Sequence, residues 1–212
     1  MHQRRKRNSK NSLYVVIGSL LILSSISIMV YKHFNERQIN KLEEISIQEY
    51  YEELKDEKEQ IEENKEIKDN SKEEIKKNQN VVNYIAVLRI PKINLKRGLV
   101  NKDSKYNDIK YNIMIHDKST YPDEIGGNVI LLAHSGNSNI SYFKNLYKLE
   151  LDDIIYLDYN NNTYKYKIIN IYDIEKNGKA LIKKDTKNST ITLITCRSNT
   201  NKQIVLIGEL IA

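Results

Sequence analysis

The chain has little of several residue types, and each shortage excludes a class of protein. One cysteine in 212 residues excludes an internal disulfide and any zinc or iron–sulfur site that needs several cysteine ligands. Two prolines and seven glycines are too few for a proline-rich spacer, a glycine-rich linker or a collagen-like chain. What is present, 40% hydrophobic and 29% charged residues, suffices for one ordinary domain and some additional segments.

Positive charge is concentrated at one end of the sequence. The net charge is +6, and five basic residues lie within the first ten positions: Arg4, Arg5, Lys6, Arg7 and Lys10. Because the rest of the chain is nearly neutral, the charge does not indicate a nucleic-acid-binding surface, and we predict no nucleic-acid partner.

A long uncharged run follows this basic tail. Residues 13–31 are nineteen amino acids without one charge, and as a helix they span about 28 Å, close to the roughly 30 Å hydrocarbon core of a bilayer. A cleaved signal peptide would have a shorter apolar region and a small-residue cleavage site, whereas Lys32 and His33 follow here. We therefore predict a single-pass anchor in the cell membrane. Residues 1–12 would be cytoplasmic because of their positive charge, and the rest of the chain would be extracellular.

Residues 32–80 have the composition of a charged, partly helical stalk. Positions 35–80 contain fifteen Asp or Glu, nine Lys or Arg, and no Gly or Pro, which favours a solvated helix. Ile47, Leu54 and Ile61 recur every seven residues, so a short coiled-coil seam is the alternative to a solvated stalk.

From residue 81 onward, short apolar and alternating runs predict β-strands. Within them, Ser141–Leu149 has Phe143, Leu146 and Leu149 at helical spacing, which predicts one short helix. The pattern predicts an all-β barrel or sandwich over residues 81–212, large enough to form its own core. The predicted strands include Ala86–Ile90, Asn128–Ala133, Ile154–Tyr159, Tyr164–Ile168, Thr190–Thr195 and Gln203–Ile211.

The single cysteine, Cys196, ends the strand-like run TITLITC. It is either a small buried apolar side chain or a thiolate nucleophile, and a nucleophile needs a base or ion-pair partner such as histidine. His2 and His33 flank the predicted anchor, and His116 lies in a polar stretch typical of a surface residue. His134 ends the apolar run NVILLAH at the start of a loop, where a rigid strand would present a catalytic group.

Together these motifs resemble the sortases, membrane-anchored cysteine transpeptidases of Gram-positive bacteria. Thr192–Cys196 matches the TLxTC signature of that family, and Asn128–Gly136 is similar to the strand that carries its histidine. Ile90–Leu95 resembles the early IPxI strand, and Tyr142–Leu149 resembles a short family helix. The resemblance covers roughly residues 84–212 and keeps the family's order of motifs.

The resemblance implies a closed eight-stranded β-barrel with one or two short helices, preceded by the membrane helix and the stalk. It implies that Cys196 attacks the threonine carbonyl of an LPxTG-like sorting signal to form a thioacyl-enzyme, and that His134 protonates the leaving amine. The partners would be secreted proteins with C-terminal sorting signals and an acceptor amine such as that of a peptidoglycan precursor. Thr195, inside the signature, is expected to help position the substrate.

One position departs from the family pattern. The family has an arginine at the start of the last strand, in a pattern like RLVVVAEL, whereas this chain reads QIVLIGEL from Gln203. Arginine stabilises a developing oxyanion through charge-assisted hydrogen bonds, and the amide of Gln203 can donate without the charge. Arg197 directly follows Cys196 and would supply the charge if the loop turned back, although a regular strand would point it to the opposite face.

Absent features narrow the subclass. The sequence has neither the Asp-Pro-aromatic lid motif nor the second membrane segment of pilin-polymerising sortases. Sortases with a helical insertion before the cysteine strand need a long loop there, whereas only about sixteen residues, Glu175–Thr190, precede that strand here. This favours a class A-like or class D-like enzyme. We predict no cofactor and no metal site. Some class A sortases bind calcium through acidic loop residues, and calcium binding is the open alternative here. Nothing in the sequence supports it, because scattered loop carboxylates are usually solvated: Asp103, Asp108, Asp123 and Glu124. The alternative function is a membrane-tethered, non-catalytic binding or scaffold domain with a degenerate sortase site.

Overall fold

The computed structural model describes residues 9–63, 82–180 and 188–212. Contacts divide the chain into two compact units, one that ends at Leu42 and one formed by Glu43–Ala212. A single helix, α1 (Ser9–Glu63), contains no proline and is rich in strong helix formers. In the first unit its large apolar side chains are exposed. By length and composition this helix can cross a membrane, and a signal sequence near an N-terminus has the same length and composition.

Eight β-strands form one mixed sheet in the second unit. They are β1 (Ala86–Ile90), β2 (Leu95–Leu99), β3 (Met114–Ile115), β4 (Asn128–Leu132), β5 (Ile154–Tyr159), β6 (Asn162–Glu175), β7 (Thr190–Cys196) and β8 (Lys202–Leu210). Their spatial order is β2-β1-β5-β6-β8-β7-β4-β3. Strands β4 and β7 are parallel neighbours, and the other neighbouring pairs are antiparallel.

The sheet curls into a nearly closed barrel with β2 and β3 at its two edges. Asn112 bridges part of the remaining gap: its Nδ2 donates to the Gly98 carbonyl oxygen at 2.9 Å, and its Oδ1 accepts from Arg97 Nε at 3.0 Å. A side-chain amide thus stands where strand pairing would complete the barrel. The predicted eight-stranded barrel is confirmed, but it is nearly closed rather than closed.

Side chains along the strands alternate between the barrel interior and its outer face. The interior holds the main core, in which Tyr166 of β6 and Leu193 of β7 are fully buried. A smaller apolar cluster lies on the opposite face of β4, β7 and β8, and we call it the outer-face cluster. Its buried members are Ile130, Ile194 and Val205.

The predicted helix at Ser141–Leu149 is shorter than expected. This stretch contains turns and a single turn of 3₁₀ helix, Leu146–Lys148, rather than an α-helix. Its spacing was nevertheless informative, because Phe143, Leu146 and Leu149 are all buried in the main core. A second 3₁₀ turn, Pro91–Ile93, has its proline at the first helical position, where no N–H is needed.

The solvated-stalk interpretation is wrong for part of α1. Ile47 is 2% exposed and Tyr50 is 6% exposed, and both pack against Tyr84, Val87 and Val100 of the barrel unit. The coiled-coil alternative fails for a related reason: Ile47 and Leu54 face their own domain. A seven-residue apolar repeat indicates only that one face of the helix is buried. Here that face is buried against the barrel of the same chain. The side chain of the third repeat residue, Ile61, lies outside the described residues.

Glu43 fixes the start of this docked segment. Its Oε1 accepts the Gly98 N–H at 2.8 Å, and its Oε2 pairs with Arg97 Nη1 at 2.7 Å and accepts from Tyr84 Oη at 2.6 Å. The Tyr84 ring covers Gly98 so closely that a Cβ there would lie 2.2 Å from the ring, which requires glycine. Helix α1 from Glu43 onward is therefore built into the edge of the barrel at β2.

Candidate active site

The positions of Cys196 and His134 follow from the pairing of the parallel strands β4 and β7. Leu132 of β4 lies opposite Ile194 of β7, and the Ala133 N–H donates to the Ile194 carbonyl oxygen at 3.4 Å. The pairing ends at this point, and His134 and Cys196 each lie two residues further along the chain. Because parallel strands end at the same edge of a sheet, both residues reach one end of the barrel.

Two side-chain hydrogen bonds hold these strand ends together. Thr195 is buried, and its hydroxyl donates to the Ala133 carbonyl oxygen at 2.6 Å. The Ser135 hydroxyl donates to the carbonyl oxygen of Cys196. The first bond links the residues directly before Cys196 and His134, and the second links the residue directly after His134 to Cys196. The two strand ends therefore stay together beyond the last backbone hydrogen bond between β4 and β7. Thr195 is therefore a buried link between the two strands and not an exposed group.

The alternation of side chains along β7 puts Cys196 on the outer face. Cys196 shares that face with Ile194 of the outer-face cluster, two residues before it. His134 lies just beyond the end of β4, where its carbonyl oxygen accepts the Phe143 N–H at 3.0 Å. Cys196 is exposed, unlike the buried residues before it on β7. The thiol is therefore open to an approaching substrate.

Gln203 lies directly opposite Cys196 in the antiparallel β7–β8 pair. Directly opposite residues project to the same side, so the amide and the thiol are neighbours on the outer face. Arg197 is held elsewhere: its Nε and Nη2 both lie 2.9 Å from Oδ1 of Asp173 on β6. Of the two candidate oxyanion donors, the register favours Gln203.

A cleft of about 420 Å³ opens at this end of the barrel, and we call it the Cys196 cleft. It lies between the strand end of β7, the chain that follows β4, and the 3₁₀ turn at Leu146–Lys148. His134 is not among its lining residues. The lining includes Ser135, Asn137, Lys144, Tyr147, Cys196 and Arg197.

The remaining sequence candidates lie apart from this end. The His116 N–H donates to the Ile130 carbonyl oxygen and its Nδ1 accepts from the Lys118 N–H at 3.1 Å, in the loop that leads into β4. His116 thus lies beside Ile130 in the middle of β4, not at the strand end that leads to His134. Within the described residues, no three His, Cys, Asp or Glu side chains converge as a metal site would require. Two of the loop carboxylates bond to nearby backbone: Asp108 to the Lys110 N–H and Glu124 to the Tyr121 N–H.

Sequence reasoning missed Ser135 and Asp173. Ser135 had a local signal, because it directly follows the candidate histidine at a strand end. Asp173 had none, because its contact with Arg197 joins positions 24 residues apart.

Comparison with known proteins identifies the family. The sequence profile of the sortase domain matches residues 88–211, more than half of the chain. No curated protein matches at the sequence level. Several solved structures of sortases are similar to this chain in fold.

The Clostridium perfringens sortase D5 transpeptidase aligns with a TM-score of 0.58 at 21% identity, covering 81% of this chain and 99% of that one. A lid mutant of sortase A from Corynebacterium diphtheriae aligns at 0.55 and 23% identity, covering 61% and 70%. Clostridium perfringens sortase C, solved with the C-terminal cell wall sorting motif, aligns at 0.54 and 21%, covering 61% and 71%. These likenesses establish the fold, and the profile match, which spans both β4 and β7, establishes that the chain belongs to the sortase family.

Proposed function

We propose that this protein is a cysteine transpeptidase that cleaves an LPxTG-like sorting signal and transfers the cleaved protein to a cell-wall amine. The observation that carries the proposal is the register of the parallel pair β4–β7, which ends at Leu132 and Ile194, two residues before His134 and an exposed Cys196 respectively. A thiol and an imidazole on neighbouring strand ends are the pair that nucleophilic acyl transfer needs. Family membership supports the same reaction class.

In the first half-reaction the Cys196 thiolate attacks the carbonyl carbon of the threonine in the signal. A tetrahedral oxyanion forms, and the Gln203 amide, opposite Cys196, is the donor proposed to stabilise it. His134, as imidazolium, gives its proton to the departing amine. The C–N bond breaks, and the acyl group stays on the sulfur as a thioester.

The outer-face cluster supports binding of the apolar part of the signal. Ile130, Ile194 and Val205 are joined there by the partly buried side chains of Leu132, Tyr172, Ile174, Ala180 and Ile207. The three buried members are covered, and the partly buried ones are the part of the cluster that a bound peptide would contact. Because Ile194 and Cys196 share a face of β7, an extended peptide bound there would bring its scissile carbonyl to the thiol. Peptide residues N-terminal to the cleaved bond would lie here.

The apolar half of α1 supports a location at the outer surface of the cell membrane. The uncharged run at 13–31 would anchor the protein, with the basic tail inside and the barrel outside. Secreted proteins with sorting signals and cell-wall amines both occur on that side. A housekeeping role of class A or class D type is part of this proposal.

The test is detection of the thioester. The full chain in detergent micelles is incubated with a library of sorting-signal peptides, first without and then with an added amine. We expect intact-mass spectrometry to show one acyl group on Cys196 and the added amine to convert it into a transpeptidation product. A chain that binds signal peptides but never becomes acylated would instead be the non-catalytic binding domain.

A further inference from the structure

The Cys196 cleft and the outer-face cluster reach the same thiol but differ in chemistry. The cluster is formed by aliphatic side chains such as Ile194 and Val205. The described lining of the cleft contains the apolar side chains of Phe143 and Ile204, hydroxyl and amide groups, and the two cations Lys144 and Arg197, but no carboxylate. Cys196 lines the cleft and shares the face of Ile194, so it lies where the two surfaces meet.

Acyl transfer needs two separate places beside the nucleophile, and this argument rests on the proposed function. The acyl chain of the thioester occupies one of them. The incoming amine must approach along the path by which the first amine left, because both steps pass through equivalent tetrahedral intermediates. If the apolar acyl chain lies on the outer-face cluster, the Cys196 cleft is left for the amine.

The charge in the cleft selects among amines. Lys144 is exposed and has no carboxylate partner within the described residues. Arg197 is paired with a single oxygen of Asp173, and that carboxylate is not part of the lining. The described lining therefore carries an excess of positive charge that an anionic group would neutralise.

We propose that the Cys196 cleft is the acceptor subsite and that it takes a peptide amine which also carries a carboxylate, with Lys144 binding that carboxylate. The volume of about 420 Å³ is in the range of sites for small ligands, roughly 300 to 1,000 Å³. The same positive charge disfavours the ammonium form of the incoming group and so favours the neutral amine that can attack.

The transfer step is balanced. The neutral amine nitrogen attacks the thioester carbonyl, the C–N bond forms, and the C–S bond breaks. Cys196 leaves as the thiolate, and the proton lost by the nitrogen goes to His134. The thiolate and the imidazolium are thereby restored for the next cycle.

The experiment uses two acceptors that differ only in the carboxylate, triglycine and triglycine amide. The full chain in detergent micelles is acylated with a donor signal peptide, and the ratio of transfer product to hydrolysis product is measured against acceptor concentration. Both products come from one thioester, so the ratio does not depend on the rate of acylation. The variants are Lys144→Glu and Lys144→Met. The matched control is Lys118→Glu, an exposed lysine in the loop at the other end of β4.

The unaltered chain should use triglycine about twofold to fivefold more efficiently than the amide, the size of an exposed charge contact. Lys144→Met should remove most of this preference and Lys144→Glu should reverse it, while Lys118→Glu should keep it. Raising the salt concentration should weaken the preference in the unaltered chain. Equal use of the two acceptors, or a preference that survives Lys144→Glu, would overturn the acceptor subsite and leave the transpeptidase proposal intact. Absence of any thioester would overturn both.

Discussion

Two polar groups near strand ends, Asp158 and Cys196, have opposite environments: the first is buried and the second is exposed. Asp158 of β5 is 6% exposed and accepts hydrogen bonds from Arg89 at 2.7 and 2.8 Å, from Thr163 at 2.7 Å and from Tyr51. Cys196 is exposed, and within the described residues nothing donates to its sulfur. A buried carboxylate must have its partners, whereas a nucleophile must keep its reactive atom free for the substrate.

The electrostatics of Asp158 fit a structural role. Burial by itself raises the pKa of a carboxyl group, but the hydrogen bonds from Arg89, Tyr51 and Thr163 outweigh it and hold the pKa of Asp158 below its usual value of 3.8. Since Tyr51 belongs to α1 and Thr163 to β6, this one carboxylate ties the docked helix to the sheet. The comparison therefore separates a site that holds the fold from a site that is available for chemistry.

The largest effect is expected at the available site. Cys196→Ala should abolish both cleavage and transfer, because no other thiol exists in the chain to form the thioester. Product formation is followed by mass spectrometry, and circular dichroism should show an unchanged barrel. Residual acyl-enzyme in the variant would mean that the nucleophile lies elsewhere.

His134→Ala should follow, with a loss of at least about 100-fold in kcat/KM for the donor peptide, the usual scale of general acid–base help. His116→Ala is the matched control, since His116 lies beside Ile130 in the middle of β4 and not at the strand end. It should change the rate little. The reverse ranking would break the assignment of the acid to the β4 strand end.

At the structural site the effect should appear in stability. Asp158→Ala removes the carboxylate from a mostly buried ion pair, which should lower the free energy of unfolding by about 3 kcal/mol. Glu150→Ala is the control, because Glu150 pairs with Lys92 but its side chain is 79% exposed. It should cost less than about 1 kcal/mol. Both are measured by urea unfolding of the full chain in detergent.

The pH dependence sharpens the same test. A carboxyl group whose pKa is lower in the folded state contributes stability that is fully present above its unfolded pKa, near 3.8 here, and is lost as the pH falls through the folded value. The unaltered chain should therefore lose this contribution on acidification below about pH 4. Asp158→Ala should not show it, so the stability gap between the two proteins should narrow there.

Local pattern sufficed for the parts of the fold whose signal lies in consecutive residues. Strand β5 was predicted with its observed bounds, Ile154–Tyr159, because an apolar run with turn residues on either side reads the same alone and in the barrel. Strands β2 and β3 were missed. The first is LKRGL, polar at its centre, and the second has only two residues, so each forms because its neighbours in the sheet supply the pairing.

Long-range contacts account for what the sequence could not supply. The docking of α1 depends on Tyr84 and Asp158 meeting residues 41 and 107 positions away, as the bonds to Glu43 and Tyr51 show. At the candidate site, both strand ends were predictable because the apolar runs stop at His134 and Cys196. The ion pair between Asp173 and Arg197 was not predictable, since no local pattern around either residue indicates the other. The catalytic roles of these residues stay predictions.

The last prediction concerns the missing arginine and has the smallest expected effect on catalysis. Gln203 lies opposite Cys196, whereas Asp173 holds Arg197. Gln203→Ala should slow acylation by up to about 100-fold, the lower end of the cost of losing one oxyanion donor, because a neutral amide is the weaker donor. Gln203→Arg should keep or raise the rate, and Arg197→Ala should leave acylation of the donor peptide within a few-fold. Single-turnover acylation kinetics separate the three variants. If Arg197→Ala stops acylation while Gln203→Ala is silent, the hairpin after β7 turns its arginine to the thiol during catalysis, and the register would have pointed to the wrong donor.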